Sequence, residues 1–423
     1  MRNISSFFVF ILFQMFYLNA AFGQIQYTFG HWHAELALND RLNLPFDLQV
    51  VEQSFCSMAE QKGNLPLLII CNGEERITLT GKKGKEGEIN YSFPIIESEL
   101  KVKFAENGKE LKGTWINYNK SKIQPFAFSA YASEESRFLT QEQPKIDFTG
   151  RWEVIFENGK EAAIGVFKQV GKEVTGTFLS ETGDYRYLAG NVDANNTLFL
   201  STFDGVHAYQ FVANIYSRDS IEGIFYSGAS YNTVWKGRRN DAAQLTDPDS
   251  LSEMITRGAL TFDAKTLNGK DFHFKAQENH PTIIQIMGTW CPNCMDEMNY
   301  FKEIYPKYKQ NGVEIIAVSF EIGTHTKDQL KRLRQFKKRA EVPYKVLLGG
   351  SSTNKGEAAQ VFKDLSRVMG FPTTIFIDEK GHVVKVHTGF SGPGTGIEFL
   401  KFKEETEQLL NKISGLQSPV IFD

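Results

Sequence analysis

Cysteine is scarce in this chain of 423 residues, which contains only four. So few cysteines exclude a small scaffold held together by disulfides, and each cysteine has to be judged by its position. An excess of charge is also lacking, because 47 Lys and Arg residues against 50 Asp and Glu residues give a net charge of −3. This balance offers no general attraction for nucleic acid or anionic lipid, so we expect neither as a partner.

Apolar runs of membrane-spanning length are lacking as well. The longest run, residues 4–18, follows Arg2 and precedes small residues at positions 21 and 23. This pattern indicates a secretory signal peptide over residues 1–23, and the run is shorter than the ~20 residues that a spanning helix needs. We expect an exported protein, soluble in the periplasm or cell envelope, where disulfides can form. An uncleaved anchor is the alternative.

Short alternating runs of apolar and polar residues, broken by Gly, Asn and Asp, fill the chain from residue 24 to residue 242. Such alternation is typical of antiparallel strands. A glycine stands two residues before an aromatic at residues 113–115, 150–152, 176–178 and 223–225. On a strand both lie on one face, where the ring can cover the glycine. We predict an all-β, meander or barrel-like region with sub-domains over residues 24–145 and 146–242, and we interpret the rings as core.

The pattern changes after the polar turns at residues 240–250. An apolar run at residues 281–287 leads to the sequence Trp-Cys-Pro-Asn-Cys at residues 290–294, and apolar residues then recur at helical spacing. Strands and helices alternate from there, and the last two strands flank a tight turn. This predicts an α/β domain over residues 251–416 with a mixed sheet. The further predicted helices cover residues 327–340, 357–368 and 398–413.

Cys291 and Cys294 lie where the buried strand meets the first helix. At a helix N-terminus the unpaired backbone N–H groups and the helix dipole stabilise a thiolate. Cys291 is therefore expected to attack a disulfide, and Cys294 to resolve the mixed disulfide. Pro292 suits the first helical turn because it has no N–H to leave unpaired.

Zinc binding and a purely structural cross-link are the alternatives for this cysteine pair. Zinc commonly takes four Cys or His ligands, and the nearby His273, His280 and His325 have no motif spacing to the pair. A cross-link that closes so short a loop adds little stability. We expect redox chemistry with no metal and no bound cofactor, since the dithiol itself carries the electrons.

Three segments, residues 286–297, 370–378 and 389–396, closely resemble TlpA/ResA-like disulfide reductases of the thioredoxin fold. The resemblance covers about residues 251–416. It implies a thiol–disulfide oxidoreductase in which Trp290 shields the dithiol. It also implies a cis peptide bond at Pro372, with Phe371 presenting its backbone to an extended substrate, and a glycine-rich loop beside the dithiol.

The same resemblance favours reduction of disulfides in envelope proteins, with electrons supplied by a membrane or periplasmic donor. The residues between the cysteines, Pro292 and Asn293, do not fix the direction, so oxidation stays open. A non-enzymatic role is the alternative. In that case the β-rich region would recognise an envelope protein or a glycan.

One position departs from the thioredoxin pattern. Gln285, six residues before Cys291, stands where cytoplasmic thioredoxins have a buried aspartate, so the usual buried base is expected to be missing. Glu321, at the end of the next predicted strand, lies close to the place of a glutamate that ResA-like proteins share. We expect Glu321 to tune or deprotonate the dithiol, directly or through a water. A solvent-facing carboxylate is the alternative.

Two further features stay open. Cys56 and Cys71 lie 15 residues apart on predicted neighbouring strands, and a structural disulfide and two buried thiols are both compatible with that placement. The predicted helix at residues 327–340 carries seven basic residues and one acid. It presents either a solvated basic face or a docking patch for an acidic partner.

Overall fold

The computed structural model describes residues 26–53, 65–120, 122–138, 140, 143–157, 160–353 and 356–415. The expected signal peptide and Cys56 lie outside these residues. The described residues form two β-rich units followed by an α/β unit. No helix in this part of the chain has the length and apolar character needed to cross a bilayer.

The first unit is a closed barrel of eight antiparallel strands, in which the first strand pairs with both the second and the last. Its strands are β1 Gly30–Asn39, β2 Leu42–Val51, β3 Leu67–Asn72, β4 Glu75–Lys83, β5 Ile89–Ser92, β6 Ser98–Phe104, β7 Glu110–Asn117 and β8 Pro125–Ala132. In β2 the alternate residues Leu44, Phe46 and Leu48 are fully buried, as expected for a strand with one face toward a core. Cys71 on β3 is buried, and since Cys56 lies outside the described residues, both alternatives for this pair stay open.

The second unit is also a ring of antiparallel strands. Its strands are β9 Gly150–Phe156, β10 Glu161–Val170, β11 Glu173–Ser180, β12 Gly183–Asp184, β13 Leu188–Val192, β14 Thr197–Phe203, β15 Ala208–Ser217, β16 Ser220–Ser227 and β17 Tyr231–Arg239. Because β9 pairs with both β10 and β17, and β10 also pairs with β11, the sheet closes on itself. The predicted all-β, barrel-like character of the N-terminal region is confirmed.

Two of the recurrent glycines are also required by the approach of neighbouring strands. A Cβ on Gly113 would lie 1.9 Å from the carbonyl oxygen of Lys101, and one on Gly176 would lie 2.1 Å from that of Val166. Both oxygens belong to the neighbouring strand, so glycine is required because two backbones approach closely. The aromatic residues that follow are core residues, as predicted: Trp115, Trp152, Phe178 and Phe225 are all buried.

The α/β unit is built on a seven-stranded mixed sheet in the order β19-β18-β22-β21-β20-β23-β24. Its strands are β18 Thr261–Thr266, β19 Asp271–Lys275, β20 Thr282–Met287, β21 Glu314–Glu321, β22 Lys345–Ser351, β23 Thr373–Ile377 and β24 Val383–Thr388. Its helices are α1 Pro292–Lys309, α2 Thr326–Arg339, α3 Glu357–Val361 and α4 Ile397–Ile413. Strands β20, β21 and β22 are parallel and the other pairings are antiparallel. All six residues of β20 are buried, as in a central strand covered on both faces.

The prediction of a helix over residues 357–368 is wrong in its second half, because α3 ends at Val361. The following residues pair with the segment that precedes β18. Leu365 forms a β-bridge with Met254, and the N–H of Ser366 donates to the carbonyl oxygen of Glu253 at 2.8 Å. These bonds replace the hydrogen bonds that a longer helix would have made.

Buried contacts hold the three units together. Phe203 of β14 is fully buried and packs against Phe46 and Trp115 of the barrel, with ring centroids 4.8 and 4.9 Å apart. On the α/β side, Arg332 of the basic helix α2 forms an ion pair with Glu97 of the barrel at 3.0 Å. Part of that basic face therefore contacts an acidic residue of the same chain.

Candidate active site

Cys291 and Cys294 form a disulfide at the start of α1, with their Cα atoms 5.3 Å apart. Cys291 is the N-cap residue, and its sulfur accepts the backbone N–H of Cys294 at 3.2 Å. Cys291 is 6% exposed and Cys294 is fully buried. The sulfur that a substrate can reach is therefore the one at the positive end of the helix dipole, where a thiolate is stabilised.

Phe371 and Pro372 lie opposite this pair. The peptide bond between them is cis, as the resemblance implies, and the carbonyl oxygen of Phe371 lies 3.5 Å from the sulfur of Cys291. The Trp290 ring meets the Phe371 ring edge to face at 5.7 Å, and its indole N–H donates to the carbonyl oxygen of Phe320 at 2.9 Å. Two aromatic side chains thus lie beside the dithiol.

Glu321, at the end of β21, is fully buried, so the solvent-facing alternative is wrong. Its carboxylate accepts the hydroxyl of Ser319 at 2.6 Å and the hydroxyl and N–H of Thr289 at 2.7 and 3.2 Å. Burial raises the pKa of the Glu321 carboxyl, and these hydrogen bonds oppose the rise. Its closest described link to the dithiol runs through Thr289, two residues before Cys291.

A second buried carboxyl, Glu297 on α1, was not anticipated from the sequence. Its side chain is fully buried. The carboxylate accepts hydrogen bonds from the hydroxyl of Thr374 at 2.7 Å and from the side-chain amide of Gln285 at 2.8 Å. The same amide group of Gln285 also donates to the carbonyl oxygen of Cys294 at 3.2 Å. Burial raises the pKa of Glu297 to about 7, against the effect of the two hydrogen bonds. Gln285 thus occupies the place of the usual buried aspartate, and a buried carboxyl from α1 lies beside it.

The sequence did contain a signal for Glu297. Cys294, Glu297, Phe301 and Tyr308 follow one another at helical spacing, and all four are buried in the structure. A carboxylate within an otherwise apolar helical stripe, three residues after a reactive cysteine, is an exception that calls for a partner.

The second β-rich unit lies directly on the cysteine motif. The side-chain amide of Asn293 donates to the carbonyl oxygen of Asp184 on β12 at 3.0 Å. The carboxylate of Asp184 accepts the N–H of Gly392, in the glycine-rich loop, at 2.6 Å. Residues 181–184 therefore bridge the cysteine motif and that loop.

Arg186 joins all three units through buried ion pairs. Its guanidinium contacts Glu75 of the barrel, Asp296 of α1 and, at 3.5 Å, Asp204 of the second unit. It also donates to the carbonyl oxygen of Pro292 at 3.2 Å, between the two cysteines. Burial raises the pKa of Asp296 to about 7, although the charge of Arg186 opposes the rise.

A cleft of about 700 Å³ opens at the junction of the three units, and Cys291 lines it. Much of its wall is aromatic, contributed by Trp115 and Phe126 of the barrel, Tyr185 and Tyr209 of the second unit, and Trp290 and Phe371 of the α/β unit. Among the described residues, no group of three or more His, Cys, Asp and Glu side chains is placed to hold a metal ion.

The known proteins that this chain resembles match its α/β unit. The sequence model of the Redoxin family matches residues 255–400. The chain is similar to the thiol–disulfide oxidoreductase ResA of Halalkalibacterium halodurans, with 32% identity over 31% of this chain and 66% of that protein, just under two thirds of its length. It is 30% identical to ResA of Bacillus cereus over 39% of this chain and 82% of that protein. A thiol:disulfide interchange protein of Chlorobium tepidum superposes on 38% of this chain and 99% of its own, with 18% identity and a TM-score of 0.28.

Proposed function

Because this chain belongs to the ResA family of thiol–disulfide oxidoreductases, we propose that it is exported and reduces disulfides in other proteins of the cell envelope. The observation that carries the proposal is the Cys291–Cys294 disulfide at the start of α1, with Cys291 lining an open cleft. A buried structural cross-link would need no such access.

The reaction begins with the dithiol form. The thiolate of Cys291 attacks one sulfur of the substrate disulfide, a mixed disulfide forms, and the other substrate sulfur leaves as a thiolate. Cys294 then attacks the sulfur of Cys291 and releases the second substrate sulfur. Two electrons and two protons have passed from the dithiol to the substrate, and Cys291 and Cys294 are joined. A donor dithiol in the membrane or envelope restores the reduced form by the same exchange in reverse.

The second step requires a proton to leave Cys294, which is fully buried. We assign this proton to Glu297, whose carboxyl shares the Gln285 side chain with the carbonyl group of Cys294. A carboxyl with a pKa of about 7 can accept and return a proton near neutral pH. Glu321 acts at one remove, as a positioning residue, because it holds Thr289 and with it the turn that carries Trp290 and Cys291.

The reduction potential of the Cys291–Cys294 pair tests the direction. Equilibration of the chain without residues 1–23 against glutathione or dithiothreitol buffers, with the two thiol states separated by alkylation, gives the value. A potential near thioredoxin's ~−270 mV supports a reductase, whereas one near DsbA's ~−120 mV indicates an oxidase. Export is tested by N-terminal sequencing of the protein recovered from the cell envelope, which should begin at Gln24.

A further inference from the structure

We propose that the two β-rich units select the substrate. Among substrate disulfides they admit those on extended, unfolded polypeptide segments, which enter through the cleft, and they exclude those held within folded proteins. This inference rests on the proposed thiol–disulfide exchange. It gives the N-terminal 240 residues a role in that exchange that the family relationship, which covers the α/β unit, does not supply.

The surface around Cys291 is covered by other parts of the same chain. A Cβ on Gly389 would lie 2.8 Å from the backbone of Thr182, and one on Gly370 would lie 2.9 Å from the Thr182 side chain. A Cβ on Gly183 would lie 2.4 Å from the side-chain nitrogen of Asn293. The second unit therefore approaches closely the cysteine motif, the segment before the cis-proline and the glycine-rich loop.

The opening that remains around Cys291 is small. A stable complex between folded proteins buries about 800 Å² on each partner, spread over a broad surface. Around Cys291 such a surface is not available, because this residue is 6% exposed and lines a cleft of about 700 Å³. Cavities of this size enclose small molecules and short segments of chain. A disulfide can reach Cys291 only when its cysteine lies on a segment that is free to enter.

The walls of the cleft are largely aromatic. The ring of Phe126 stacks on that of Trp115 with centroids 5.3 Å apart, and Trp290 and Phe371 stand on the side of the dithiol. Binding to aromatic walls is most favourable for apolar or aromatic side chains, because these are removed from water. Segments rich in such residues are buried in folded proteins and exposed in unfolded ones. The cleft is therefore suited to an unfolded segment with an apolar residue next to its cysteine.

The test uses the reduced chain without residues 1–23 and one small protein with a single disulfide, presented in two forms. One form is folded, and the other carries a core substitution that unfolds it. Both rates are divided by the rate with dithiothreitol, which corrects for the reactivity of the disulfide. We expect the unfolded form to be reduced at least about tenfold faster after this correction. Equal corrected rates would overturn the inference and leave the proposed function intact.

A small aromatic disulfide, 5,5′-dithiobis(2-nitrobenzoate), separates the two proposals. If reduced Cys291 does not react with it faster than a free cysteine does, the proposed function itself fails. If it reacts with this reagent and also with the folded protein as fast as with the unfolded one, only the selection by the β-rich units fails.

Variants of the cleft wall give an independent measurement. Two disulfide-linked peptides are compared, one with Phe and one with Ser next to the cysteine. Phe126→Ala should lower the ratio of their kcat/KM values at least about threefold, whereas Tyr131→Ala, an exposed position of the same strand, should leave the ratio unchanged. Should Phe126→Ala not fold, Ser230→Trp at the exposed rim takes its place and should slow both peptides. An unchanged ratio in the first variant, or unchanged rates in the second, contradicts the proposal.

Discussion

Asn293, between the two cysteines, donates a hydrogen bond to the backbone of Asp184, a residue 109 positions earlier in the chain. This hydrogen bond anchors the cysteine motif to a β-rich unit, and Arg186 reinforces the anchor through the carbonyl group of Pro292. The environment of the dithiol is therefore set by three units of the chain together.

Single cysteine variants test the assigned order of attack. Cys294→Ser should accumulate a mixed disulfide with its substrate, because the resolving thiol is gone, whereas Cys291→Ser should accumulate none and lose exchange activity. Non-reducing gels of the two variants, purified from the cell envelope, provide the measurement. If both variants keep wild-type exchange rates, the dithiol is not the reacting group.

Glu297→Gln should change the pH dependence of stability. The carboxyl has its pKa at about 7 in the folded chain against an ordinary value of 4.5. Between these values the folded state holds more protons than the unfolded state, so the group's contribution to stability is complete below pH 4.5 and is lost as the pH rises through 7. The free energy of unfolding therefore falls by up to about 1.4 kcal/mol per pH unit in this window. Glu297→Gln should remove the part of this pH dependence that Glu297 contributes, while the part contributed by Asp296 remains.

The same variant should also slow the resolving step. At pH 8, where Glu297 is ionised, the loss of the proton acceptor should lower the rate at which the mixed disulfide resolves about tenfold or more. Stopped-flow measurement of Trp290 fluorescence follows the step. Glu303→Gln, at an exposed position of the same helix, is the matched control. An unaltered pH profile in Glu297→Gln would remove the residue from the mechanism.

Glu321→Gln should lower the exchange rate at pH 7 severalfold, because an amide cannot accept all three hydrogen bonds that hold Thr289 and Ser319. The thiol pKa of Cys291, followed by the absorbance of the thiolate at about 240 nm or by the rate of alkylation, should shift with it. Glu314→Gln, at the exposed start of the same strand, should have neither effect. If the Glu321 variant matches this control, the residue has no part in tuning the dithiol.

Gly389→Ala should loosen the cover over the dithiol. Gly389 and Gly396 both have positive φ, at 82° and 63°, so alanine strains the backbone at either position. Only at Gly389 would the new Cβ also meet the backbone of Thr182, since nothing lies within 4 Å at Gly396. We expect Gly389→Ala to be less stable than Gly396→Ala by about 1 kcal/mol or more and to have its reduced Cys291 alkylated faster. Equal alkylation rates would mean that the second unit does not limit access.

Arg186→Ala should destabilise the whole assembly. It leaves Glu75, Asp204 and Asp296 close together without their cation, and breaking a buried ion pair from one side costs about 3–5 kcal/mol. Urea unfolding followed by tryptophan fluorescence measures the loss. Arg238→Ala, at an exposed position of β17, is the control and should change stability by less than about 0.5 kcal/mol. A similar loss in both variants would argue against a special role for the cluster.

Local sequence was sufficient for the strand and the helix on either side of the cysteine motif. Residues 281–287 had the composition of a buried strand and α1 had the spacing of a helix, and both are present with nearly the predicted bounds. The sequence of α3 was less informative. Its helical pattern continues to Val368, but the backbone of residues 364–366 pairs with residues 253–255, and no local rule anticipates a partner 110 residues away.

Contacts between distant segments account for what the sequence did not reveal of the site. Nothing around Arg186 distinguishes it from a surface arginine, and its role depends on carboxylates from the barrel and from α1. The aromatic stripes were correctly interpreted as core, yet Trp115 belongs both to the core and to the cleft wall. That double role appears only when three units meet.

The position of Arg186 also has a consequence for biosynthesis. A chain emerges N-terminus first, so Glu75, Arg186 and Asp204 all emerge before Asp296, which lies 110 residues after Arg186. The two barrels can close before Asp296 emerges, while the part of the Arg186 guanidinium that binds Asp296 is still unpaired. They then form an intramolecular scaffold that receives α1 as it emerges. Docking of α1 encloses Cys291 and Cys294 together, which protects the nascent dithiol from pairing with cysteines of other chains.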